Sequence, residues 1–185
     1  MRPRYLRWLL VFGCNLLLWW LTGLANHSLP MIPLPGGGVF STHLYLGGLL
    51  VTYAALRLDP RHGLLATGLT ALLCDAATPV PFGTSLALFG LVHAFLLYGR
   101  QRFPREEVVF GVVVALLSNL FIFLALSFLL VHDNPRPGEA WLRLFLDLLV
   151  SQVVLVLVAP WFLALQARTF GLAHVHPETG RPVSQ

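Results

Sequence analysis

The sequence contains no lysine, and its charge is sparse. Twelve arginines and 8 acidic residues make up 11% of 185 positions. A water-soluble domain carries about a quarter of its residues charged, so this chain cannot cover a water-facing surface. That excludes a soluble enzyme, and a hydrophobic content of 57% excludes a disordered tail protein. Cysteine is scarce too. Cys14 and Cys74 both lie inside apolar runs. They form neither a disulfide framework nor a metal pattern, and read as small buried hydrophobes. The catalytic signatures HExxH, GxSxG, the Walker loop and CxxC are missing. Gly36-Gly37-Gly38 is not a phosphate loop, because no Lys-Ser/Thr follows it. The alternating pattern of barrel strands is absent as well, which argues against a membrane β-barrel.

What is present is long apolar runs, such as Val108–Val131, and a mean hydropathy of +0.76. A transmembrane helix needs roughly 20 residues, so the length allows six or seven spans with short loops. The runs read as six, at about 5–25, 39–58, 63–76, 84–99, 108–131 and 141–165. Residues 166–185 read as a polar cytoplasmic tail. The expected fold is an all-α integral membrane protein, a single six-helix transmembrane bundle. Arg2, Arg4 and Arg7 before the first run resemble a signal peptide. The run is too long, Trp-rich and without a clean small-residue cleavage site, so it reads as a retained span. Between the first and second spans, Pro30, Pro33, Pro35 and Gly36–Gly38 cannot continue a helix. Met31, Ile32 and Leu34 suggest that this stretch dips into the bilayer edge. The third span is the shortest, about 14 residues. At 1.5 Å per residue it rises about 21 Å against a core of roughly 30 Å.

The net charge of +4 does not point to nucleic acid, because the arginines sit in small clusters between apolar runs. Counted at alternate span ends, ten arginines fall on one side. Only Arg136 and Arg143 fall on the other. That split places both termini in the cytoplasm. Trp8, Trp19, Trp20, Trp141 and Trp161 lie near span ends, as interfacial anchors do.

Ionisable groups inside a membrane are costly and mark places of interest. Asp75 closes the third span. It reads either as an acid ordering the turn that follows, accepting amides of Ala77 or Thr78, or as a buried acid that binds a ligand or proton. Gly83 would let the chain turn into the fourth span. His93 reads as a bond between helices, with a ligand role as the alternative. Asn119 reads as interhelical glue. Arg143 and Asp147 share a helix face and read as a local ion pair. With Ser151 they form a polar stripe that should face protein and not lipid. These six residues, Asp75, Gly83, His93, Asn119, Arg143 and Asp147, are structural or partner-contact candidates. No residue is assigned to catalysis, a cofactor or a metal. Gly47 and Gly48, Gly63–Thr67–Ala71, and Gly111–Ala115 permit close helix approach.

The stretch Arg57-Leu58-Asp59-Pro60-Arg61-His62-Gly63 is a basic turn into a glycine-containing helix. It continues through Gly68 to Cys74-Asp75, then a Pro-containing turn to Gly83 and an apolar span ending in Arg100-Gln101-Arg102. Over about 45–131 this resembles MreD, the rod shape-determining membrane protein family of bacteria. The resemblance implies a non-catalytic scaffold of the cell-wall elongation machinery in the inner membrane. Its partners would be an MreC-like protein and, through it, the MreB filament and the RodA and transpeptidase wall synthases. A homo-oligomer is left open. It also implies a fold similar to the substrate-binding subunits of energy-coupling-factor vitamin transporters, which supply the alternative function. Such subunits usually carry an Ala-x-x-x-Ala contact on the first span, which is missing here. Phe82, His132, Asp133, Asn134 and Trp141 are the groups that could surround a ligand on that reading.

Overall fold

The computed structural model describes residues 6–28, 32–33, 39–40, 42–100, 108–131 and 137–172. Six helices account for nearly all of these: α1 (Leu6–Ser28), α2 (Gly47–Arg57), α3 (Pro60–Ala77), α4 (Thr84–Gly99), α5 (Val108–Val131) and α6 (Pro137–Leu172). Two-residue strands, β1 (Ile32–Pro33) and β2 (Val39–Phe40), pair antiparallel with Ile32 opposite Phe40. β1 falls in the stretch expected to dip into the bilayer edge, and β2 where the second span was expected to begin. Most of the rest of that stretch, like His132–Asn134, lies outside the described residues.

Three helical stretches are long and apolar enough to cross a membrane: Arg7–Ser28, Val108–Val131 and Gly138–Phe170. Their most apolar windows are only 17%, 39% and 28% buried. Their outer faces present Leu17, Leu117, Phe128, Leu157 and Trp161 outward. Contiguous apolar surface on that scale is not left to water, and this is a membrane protein. On α1 the buried positions are Val11, Asn15 and Leu18, a single stripe at helical spacing, as suits a peripheral helix.

The centre of the molecule is α2. It packs against α3, α4 and α5, and less extensively against α1 and α6. Every residue from Gly47 to Ala55 is buried. A helix enclosed on all sides needs no polar face, so GGLLVTYAA carries no charge, and its Thr52 hydroxyl donates back to Gly48 O within the helix. Two glycines make the enclosure possible. A Cβ on Gly48 would collide with the backbone of Ala115 and Asn119 on α5, and one on Gly63 would collide with the Ala54 carbonyl of α2.

Helix bounds differ from the expected spans, most of all at the second and the sixth. The second span does not begin at residue 39. α2 starts at Gly47, and 42–46 are non-helical. Eleven helical residues rise about 16 Å, half of a bilayer core. The short helix is therefore the second and not the third, because α3 has 18 residues and rises about 27 Å. It begins at Pro60, a residue suited to a first helical turn, where the missing amide costs nothing. Finally, α6 runs to Leu172, so 166–172 belong to the bundle and not to the tail.

Candidate functional site

Most of the buried polar side chains fall into five groups, each at a junction between helices. The first is at the start of α4. Gly83 precedes that helix with φ 96°, ψ −9°, a left-handed conformation that glycine adopts without steric cost. Glycine has no side chain to cap the helix it precedes, and Asp75 supplies one from α3. Its Oδ1 accepts from Ser85 N at 2.7 Å. Its Oδ2 accepts from Gly83 N at 3.0 Å and Leu86 N at 3.2 Å. Thr84 N donates to Pro81 O, and Ala87 N to Gly83 O. Every amide of the first turn thus has an acceptor, and the carboxylate stands at the positive end of the helix dipole. Asp75 is buried. Its expected partners were Ala77 and Thr78. The structure corrects that: Thr78 N continues the helical pattern to Cys74 O, so α3 uses that amide itself.

The second group holds the non-helical segment before α2. His43 N donates to Asp147 Oδ1 at 2.9 Å, Leu44 N to Asn26 Oδ1 at 2.7 Å, and Tyr45 N to Ser151 Oγ at 3.0 Å. Asn26 Nδ2 returns a bond to Leu44 O at 3.1 Å, so its amide pairs with Leu44 as a neighbouring strand would. Three successive amides are satisfied by side chains from α1 and α6. Non-helical backbone buried in protein needs such partners for its amides. The stripe containing Asp147 and Ser151 faces this protein segment. Arg143, at its outer end, is exposed.

The third group is the α2–α5 crossing, where Gly48 N donates to Asn119 Oδ1 at 3.1 Å. Asn119 is fully buried, and its Nδ2 has no partner. Nearby, Gln152 of α6 donates to Leu116 O at 3.2 Å. The fourth is His93 of α4, also fully buried. Its Nδ1 lies 2.9 Å from Thr67 Oγ1 of α3, and its Nε2 packs beside Gly63 without a partner.

The fifth joins four helices. Asn15 of α1 donates to Leu50 O at 2.9 Å and to Thr70 Oγ1 at 3.1 Å. Gln166 of α6 donates to Asn15 Oδ1 at 3.1 Å. At one end of the bundle, Arg100 donates to Leu58 O at 2.9 Å and covers the C-terminus of α2.

Sequence reasoning passed over Asn26, Gln166 and Thr70, and took Thr67 only as a small packing residue. Gln166 had a readable signal. Leu155, Ala159, Phe162, Gln166 and Phe170 recur at helical spacing, and all five are buried. Asn26 had none, since it stands at a span end beside His27 and Ser28. Phe82 and Trp141, two of the groups expected around a ligand, lie apart in role. Phe82 is exposed, and Trp141 packs edge-on against Phe128. Both cysteines are free. Among the described residues, no three His, Cys, Asp or Glu side chains gather as a metal site would.

These features define the class as a helical membrane protein, with six helices among the described residues and buried polar groups gathered at helix ends and crossings. No protein-family model matches the chain, and no curated protein or solved structure matches it either.

Proposed function

We propose that this chain is a non-catalytic scaffold of the bacterial cell-wall elongation machinery, of the MreD type. On this reading it crosses the inner membrane six times with both termini in the cytoplasm. It acts through an MreC-like membrane protein and, through that partner, on the MreB filament and the RodA and transpeptidase synthases. One observation carries the reading. Asp75 and Gly83, the two residues at the heart of the resemblance, are joined in a single cap in which the carboxylate spends both oxygens on backbone amides. An acid so engaged holds α3 to α4 and is not poised to take a substrate or a proton. Asp147, Ser151 and Asn26 are spent in the same way on the segment before α2.

The test is depletion in the native host together with affinity purification from its membranes. Rods should round up, and an MreC-like protein should co-purify. Unchanged rods, or saturable tight binding of a vitamin by the purified protein, would overturn the proposal in favour of a transporter subunit.

A further inference from the structure

Pro160 lies inside α6. It has no amide to give, so the carbonyl of Val156 lacks its helical donor, and the ring interrupts the even contour of the helix. At this point the outer face of α6 carries a groove of about 260 Å³, lined by Pro160, Trp161, Ala164, Leu165 and Arg168. Trp161 is 82% exposed, yet the helix continues for eleven residues beyond it to Leu172. Arg168 is exposed as well. It follows Trp161 by seven residues, two turns on the same face, about 10 Å along the axis. The groove is thus apolar along its length and cationic at one end. No carboxylate offsets that charge from its own helix: the nearest acid on α6 is Asp147, about 31 Å away along the axis. The adjoining α1 has no acid at all.

We propose that this groove seats an anionic phospholipid, with its phosphate on Arg168 and its acyl chain against Trp161, Ala164 and Pro160. The chemistry of the two ends argues for that occupant. An apolar notch closed by a guanidinium complements an amphiphile with a negative head and a hydrocarbon tail. An arginine near a span end extends to the headgroup level while its stem stays on apolar surface. A second copy of the chain is a poorer fit, since a two-fold contact with parallel helices sets Arg168 against its own mate. The proposal rests on α6 crossing the bilayer and is independent of the wall-synthesis role.

The experiment uses the full chain reconstituted in phosphatidylcholine vesicles doped with a small fraction of brominated lipid. The Trp161 signal is isolated as the difference between the native chain and Trp161→Phe. At equal mole fraction, brominated phosphatidylglycerol should be about fivefold more effective a quencher than brominated phosphatidylcholine, the factor one basic group near a membrane surface supplies. Arg168→Gln, at an exposed position, should remove the preference and leave the folded yield unchanged. Equal quenching by the two lipids overturns the proposal, as does a preference that survives Arg168→Gln. Failure of either lipid to quench Trp161 also overturns it, because protein then covers the groove.

Discussion

Replacing Asp75 tests the cap on which the α3–α4 hairpin depends. Three amides donate to the carboxylate, and Ser85 N, at 2.7 Å, is the shortest bond. Hydrogen bonds to a charged acceptor contribute about 1.5–3 kcal/mol each, but the three losses do not add. Leu86 is exposed and Gly83 half-exposed, whereas Ser85 is buried, so Ser85 N is the amide left stranded. Asp75→Leu should therefore cost about 3–4 kcal/mol, one charged bond plus the penalty for a buried orphan donor. Asp75→Asn is the sharper variant. The two carboxylate oxygens serve different amides, and an amide side chain has one oxygen. If it keeps Gly83 and Leu86, its NH2 faces Ser85 N, donor against donor. A cost of about 2 kcal/mol is expected. Equilibrium unfolding in mixed dodecyl maltoside and SDS micelles, followed by tryptophan fluorescence, measures both. Stability should fall in the order Asp, Asn, Leu. An Asp75→Leu protein within about 0.5 kcal/mol of the native one, the usual scatter of surface substitutions, would refute the capping argument.

Other substitutions probe the remaining junctions. Gly83→Ala must hold a left-handed backbone and should lose about 1–2 kcal/mol in the same assay; no loss would mean that the turn readjusts freely. Gly48→Ala drives a methyl into the α5 backbone and should cost about 3 kcal/mol, with a full folded yield counting against so close a crossing. A double-mutant cycle between Asn15→Ala and Gln166→Ala should return a coupling of about 0.6 kcal/mol, typical of polar contacts between membrane helices; additive costs would remove Gln166 from the hub. Reporter fusions at His62 and Gln185 should read as cytoplasmic and one at Pro81 as external, while an external C-terminus would end the six-crossing arrangement.

Much of this architecture is legible in local hydropathy. The paucity of charge and the uninterrupted runs of α1, α5 and α6 determine a helical membrane protein, because each residue's transfer energy needs no knowledge of its neighbours in space. The bounds of α4 and α5 follow for the same reason, as do the turns at Asp59-Pro60 and Pro79–Gly83. The start of α2 does not. Residues 42–46 are as compatible with helix as with strand by composition. They stay out of the helix, and Asp147 and Ser151, more than 100 positions later, and Asn26, 18 earlier, take the amides of His43, Tyr45 and Leu44. Asp75 is recognisable as a turn-ordering acid from its proline-rich surroundings, yet which amides it holds depends on where α4 docks. Gln166 looks like a tail residue until Asn15 is found opposite it, 151 positions away in sequence. Sequence alone settles which segments leave water, since that is a sum over single residues. The pairing of each buried polar group is a property of two distant segments at once, so only the packed bundle decides it.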